Sequence, residues 1–236
     1  MRTTPATPLA GTPARPNTTG RTGYLARFCY LAAMIGFFYF VTQLLQDVFG
    51  WNPLQAGLGF MPMTVVNFAV AVMIPRLVRR FGDAPVLVAG VAVTLAGMLW
   101  LSRVSAAGDY LTDVAVPMAL IGIGQGLAFA PLTSAGIARA TAADAGAASG
   151  LVNTCHEVGM CLGLAVLVTV AVPAGGVASA ACVAAEVGRA LGVASLFLVA
   201  SLVAVLALVV PASAAARQAA RSVSARPTAA DAYAES

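Results

Sequence analysis

Six stretches of this chain are apolar over the length a helix needs to cross a lipid bilayer, and no other feature limits its fold so tightly. A hydrocarbon core about 30 Å thick takes roughly 20 helical residues, and no water is available there, so a helix must satisfy its own backbone groups. The stretches run from Tyr24 to Leu45, Gly57 to Val78, Ala84 to Val104, Asp113 to Ala135, Ala147 to Ala171 and Ala190 to Pro211. Composition agrees: 60% of residues are hydrophobic and 9% charged, against about 45–50% and about 25% in soluble domains. The expected fold is all-α, a polytopic membrane protein with its six transmembrane helices in one bundle.

Orientation rests on arginine, because the chain contains no lysine. Arg2, Arg15, Arg21 and Arg27 precede or open span one, Arg76, Arg79 and Arg80 lie between spans two and three, Arg139 follows span four, and Arg217, Arg221 and Arg226 form the tail. These eleven share one side, and only Arg103 and Arg189 fall on the other. The positive-inside tendency then places both termini in the cytoplasm, with the chain in the plasma (inner) membrane. Trp51, Trp100 and Tyr110 come at the outer interface, a depth that suits amphipathic rings. The net charge of +4 reports topology and not nucleic-acid binding.

Residues 1–23, rich in Thr, Pro and Gly and without the apolar core of a signal peptide, predict a disordered cytoplasmic lead. Residues 24–211 form the membrane domain, and 212–236 an Ala-rich cytoplasmic tail that extends span six before fraying. The four cysteines have no metal-like spacing and serve as small apolar fillers.

Polar residues inside the spans are the candidates for function. A helix through span five places Asn153, His156 and Glu157 on one face, with Ser149 one turn earlier. His156 falls about ten residues into the span, near the bilayer middle at 1.5 Å per residue. An ionised group there costs about 2.5–3.5 kcal/mol or more, so such residues face a cavity or a partner. A proton or substrate pathway is one reading of this pair, and hydrogen bonding across a helix interface is the other. Gln43, Gln46, Asn67 and Gln125 are further groups able to line a cavity or to join helices. His156-Glu157 begins like the zinc-protease motif His-Glu-x-x-His, but the fifth position is Met160 and the chain has one His, so no metal site is expected. No second base is present to activate a nucleophile, and no enzyme is expected.

Glycines recur at four-residue spacing, at 122 and 126, 146 and 150, 159 and 163, and 188 and 192. That spacing lets helix backbones approach closely. Pro62, Pro75, Pro117 and Pro131 predict kinks. Between spans two and three, Arg76, Arg79, Arg80 and Asp83 complement the helix dipoles, with Asp83 able to cap and Pro85 suited to the first turn. Their functional reading is an inner-face latch whose charge pairs favour one conformation.

Taken in order, FFYFVTQLLQDVFGWNPLQAGLGFMPMT, PRLVRRFGDAPVLVAG, GIGQGLAFAPLTSAGIA and DAGAASGLVNTCHEVGMCLGLAVLVTV resemble the C-terminal half of the fourteen-span drug:proton antiporters of the major facilitator superfamily, over about residues 30 to 210. The resemblance implies one bundle of a major-facilitator fold and proton-coupled efflux of small amphipathic or cationic organic compounds. The coupling ion is then the proton gradient, no cofactor is implied, and the partners are substrate and membrane lipid. Glu157 stands where many relatives have an uncharged Gln. The family's preceding half, with its first-span acidic residue and its antiporter motif, has no counterpart in these segments. The expected explanations are a truncated or mis-started frame, pairing with a separate N-terminal half, or a second copy. A non-transporting six-span scaffold or inactive remnant is the alternative function. Replacing Glu157 by Gln is expected to flatten the pH dependence of transport, and a variant whose transport follows pH as the parent does removes Glu157 from the proton path.

Overall fold

In a computed structural model the described residues are 18–137, 145–171 and 179–224. Arg2, Arg15, Arg139 and Arg226, together with most of the expected lead and the end of the tail, lie outside them. Six helical spans are long and apolar enough to cross a membrane: Gly23–Val48, Pro53–Phe81, Asp83–Leu101, Tyr110–Thr133, Ser149–Ala171 and Ala180–Ala207. They are spans one to six below.

Local chemistry sets where the spans turn. Span one ends by widening over Leu44–Val48, where Phe49 N donates to Leu44 O at 3.2 Å and Trp51 N to Leu45 O at 3.0 Å. Asn52 then starts span two with a reciprocal cap: its Oδ1 accepts from Gln55 N at 2.9 Å while Gln55 Oε1 accepts from Asn52 N at 3.0 Å. Pro53 occupies the first helical turn, where a missing N–H is harmless. Pro62 has no N–H to give to Leu58, and span two is accordingly two helices, Pro53–Gly59 and Met61–Phe81. Gly82 alone joins spans two and three, at φ +85°, a conformation open to glycine and costly for other residues. Asp83 is the first residue of span three and makes no capping hydrogen bond for it. Span four begins at Tyr110, three residues ahead of the expected start, capped by Asp109, whose Oδ2 accepts from Leu111 N at 3.0 Å and Thr112 N at 3.3 Å.

Span six departs furthest from expectation. It begins at Ala180 rather than Ala190, on a helix that continues to Ser224. Ser179 caps this helix by accepting from Cys182 N at 3.2 Å, and the Ala-rich run behind it is a strong helix former. Arg189 therefore belongs to the span and not to a connection. Its Nη2 donates to Ala171 O at 3.0 Å, satisfying a carbonyl at the end of span five.

Span one packs against spans five and six, span four against spans two and three, and spans three and six meet between them. Spans one to three and four to six thus exchange equivalent contacts, as internal repeats do. The core includes Tyr30, Phe37, Leu44, Met98, Ile121 and Leu191. Tyr30 Oη meets Thr94 Oγ1 at 3.1 Å, a buried polar link between spans one and three. Spans two and five are the least buried.

Close approach of backbones explains part of the glycine spacing. Gly122 and Gly126 face Met63 O and Asn67 O of span two, Gly159 and Gly163 face Phe28 and Ala32 of span one, and Gly188 faces Ser102 O. Gly146, Gly150 and Gly192 meet nothing within 4 Å among the described residues, whose packing does not account for them. Gly124 lies against Gly90 O and the Thr94 backbone, neither of which can yield. Gly124→Ala is expected to cost about 1–3 kcal/mol, whereas Gly150→Ala should be neutral or stabilising by about 0.5–1 kcal/mol. Thermal unfolding followed by tryptophan fluorescence in detergent separates the two.

Candidate functional site

A pair of polar side chains ties each of the two least buried spans to a neighbour. Between spans two and four, Asn67 Nδ2 donates to Gln125 Oε1 at 3.1 Å. Gly122 and Gly126 allow this pair by letting span two come close on either side of Gln125. Both side chains are half-buried, and the second group of each amide has no bond among the described residues, leaving a donor and an acceptor free for a ligand.

The second pair joins spans one and five. Arg27 is only 6% exposed. Its Nη2 lies 3.2 Å from His156 Nδ1, and its Nη1 donates to Thr133 Oγ1 at 2.7 Å. Thr133 in turn donates to Phe129 O at 2.8 Å, and the Phe129 ring lies under the guanidinium at 5.3 Å from its centroid. No carboxylate of the described residues bonds to Arg27, and its Nε is buried without a hydrogen-bond partner. A cation so placed is costly unless its surroundings stabilise it. Here a hydroxyl, a neutral imidazole and an aromatic face do so.

These placements correct several expectations. Asn153, His156, Glu157 and Ser149 keep to one broad sector of span five, but only His156 turns into the bundle; Ser149, Asn153 and Glu157 are exposed. No hydrogen bond joins His156 to Glu157, because consecutive helical residues point about 100° apart. His156 also lies off the middle of the span. It is level with Arg27, four residues into span one, and with Thr133 at the end of span four.

Gln43 is bound within its own helix, Nε2 donating to Tyr39 Oη at 3.2 Å, and Gln46 is half-buried in the widened turn at the end of span one. Sixteen residues separate Gln43 from Arg27, about 24 Å along a helix, so the structure does not gather these candidates into one cluster. The expected inner latch forms no ion pair among the described residues. Arg76, Arg79, Arg80 and Asp83 are exposed, and Arg80 rests over the Phe81 ring at 5.3 Å. The one-residue connection at Gly82 leaves Arg79 and Arg80 at a helix C-terminus and Asp83 at a helix N-terminus, where each charge complements its own dipole without the other.

Arg27, Thr133 and Phe129 are the residues that sequence reasoning missed. Arg27 served there only as a topology marker, although a charge inside an apolar span is itself a signal of function. At the opposite end of the bundle, the Trp51 and Tyr110 rings meet with centroids 4.7 Å apart and planes tilted by 50°, and Tyr110 Oη donates to Gly59 O at 2.7 Å. Nearby a cavity of about 420 Å³ opens between Trp100, Arg103 and Asp113.

The described spans form a six-helix bundle of two matching three-span units, with polar pairs on its least buried spans. The chain belongs to the Major Facilitator Superfamily, whose family model matches residues 3–164. It is a multi-pass membrane protein. It is 38% identical over 149 residues to the cephamycin export protein CmcT of Amycolatopsis lactamdurans, covering 63% of this chain and 31% of that protein. The puromycin resistance protein pur8 of Streptomyces alboniger is 32% identical over 140 residues, 58% of this chain and 28% of its own. The multidrug efflux pump LfrA of Mycolicibacterium smegmatis is 31% identical over 148 residues, 62% of this chain and 29% of its own. The matched region thus spans about three tenths of the length of these relatives.

A double-mutant cycle on Asn67→Ala and Gln125→Ala is expected to give a coupling energy of about 0.5–1.5 kcal/mol in unfolding stability. A coupling near zero separates the two amides.

Proposed function

We propose that this chain is one bundle of a proton-coupled exporter of drug-like organic compounds in the plasma membrane, with both termini in the cytoplasm. The observation that carries the reading is the placement of the polar groups: the Asn67–Gln125 and Arg27–His156 pairs sit on spans two and five, the two spans the bundle leaves least covered. In hydrocarbon, polar side chains are kept where they meet a cavity or a partner. A second six-span unit, joined to this one, separate from it or a second copy, completes the cavity against those faces, since carriers of this architecture bind substrate between two repeats that rock about it.

The substrate is an amphipathic or cationic organic molecule. Exposed Glu157 offers a carboxylate on the open face of span five, and the exposed apolar side chains Leu151, Val158 and Leu162 line the same helix. The relatives named for export and resistance support the efflux direction. Protons are the coupling ion, no cofactor takes part, and the work is transport rather than catalysis. Arg76, Arg79 and Arg80, exposed and without an ion pair among the described residues, are available as a latch to acidic groups on the second unit.

The test is accumulation of a fluorescent lipophilic cation in a drug-sensitive bacterium expressing the chain alone and together with the N-terminal half of a relative. Lower accumulation, abolished by a protonophore, is expected with the second half present. Unchanged accumulation, with both pieces shown to reach the membrane, refutes the reading.

A further inference from the structure

A guanidinium has no acceptor atom, so the 3.2 Å contact between Arg27 Nη2 and His156 Nδ1 has one chemical form. Arg27 donates, the imidazole is neutral, and its own proton sits on Nε2. A further proton entering the ring must therefore take Nδ1, the atom Arg27 already occupies. We infer that Arg27 is a positioning residue for proton coupling: it holds His156 Nδ1 as an acceptor, so that a proton on that atom and the union of spans one and five at this end exclude each other. The inference deepens the transport reading and rests on it for its place in a cycle.

The step balances simply. One proton joins Nδ1, the Arg27 hydrogen bond breaks, and Arg27 keeps its protons and its charge. Two cations then stand side by side where one is only 6% exposed and no described carboxylate bonds to it. The groups around His156 offer little relief. Span four presents Phe129 and Thr133, and span six presents Ser201, which donates to Ala26 O at 2.9 Å; none of these titrates. Span one presents Arg27 itself. On its own helix His156 is flanked by half-buried Cys155 and exposed Glu157.

The packing of span five lets this repulsion act locally. Toward the bundle middle, Gly159 and Gly163 press against the span-one backbone at Phe28 and Ala32. On the other side of His156, Gly150 and Gly146 meet nothing within 4 Å among the described residues, and Val152 is buried. Repulsion at His156 thus acts at the less tightly packed beginning of the helix and leaves the glycine-packed length in place. Protonation is converted to motion at the end of the bundle where span five begins, next to the face that the proposed second unit covers.

The experiment measures separation between spin labels at Leu25 and Leu151, both exposed, in the full chain in lipid nanodiscs with the native cysteines replaced. Double electron–electron resonance is recorded at about pH 8 and about pH 5, the interval in which imidazole titrates. The parent is expected to lengthen by about 2 Å or more on acidification, the size of a helix shift at an interface. His156→Gln, which keeps an acceptor but does not titrate, is expected to lose the shift. Arg27→Gln, which removes the like charge and relieves a buried cation, is expected to lose it as well, while Glu157→Gln keeps it. No shift in the parent, a shift that survives His156→Gln or Arg27→Gln, or one abolished by Glu157→Gln overturns the inference. The distance needs no transport: a chain that shifts but never exports keeps the Arg27–His156 coupling and loses the exporter, and one that exports without shifting does the reverse.

Discussion

In a hydrocarbon layer apolar side chains gain little by touching one another instead of lipid, so the bundle depends on how closely its backbones approach. Where Gly124 meets Gly90 and Thr94, and where Gly163 meets Ala32, the gap between helices has no room for a Cβ. These contacts bind span three to span four and span five to span one. The polar links are a consequence of the same closeness. Asn67 reaches Gln125, and Arg27 reaches His156, because glycines one turn away on the partner or the same helix bring the backbones within side-chain range.

The arrangement leaves an asymmetry in coverage that matters for function. Spans one, three, four and six are the more buried, while spans two and five are the least covered. A polar pair at each attachment is less a source of stability than a marker of position, since interhelical hydrogen bonds in membranes contribute about 0.6 kcal/mol on average. Arg27 is the more demanding case. Its burial is tolerated because Thr133, His156 and Phe129 each stabilise the guanidinium, and none of them neutralises it. A site held together by neutral partners is sensitive to any proton that makes one of them positive.

Much of the fold was legible before any coordinates. Hydropathy alone located six spans, and five of them start or end within a few residues of the expected places. Span six was missed by ten residues because Glu186 and Arg189 lower the apolar average near its start, although Ser179 and the alanines after it signal a helix. The glycine spacing correctly marked contacts at Gly122, Gly126, Gly159 and Gly163, but periodicity cannot tell a face that meets a neighbour from one that meets none, as at Gly146 and Gly150. For the candidate site, Asn67, Gln125 and His156 were identifiable as polar groups in apolar spans. Their partners were not, because a partner lies 58 residues away in one pair and 129 in the other.

By itself the sequence determined that the chain is helical, with six segments long and apolar enough to cross a membrane, since the lack of water in the bilayer leaves such a segment no other way to satisfy its backbone. Only the tertiary structure decided that Arg27 is a buried donor to His156 and not just a charge at a membrane edge, and that Glu157 faces away from its neighbour. That choice is made by the rotation of each helix about its own axis, which small-residue contacts set and which hydropathy along a nearly uniform apolar span does not encode.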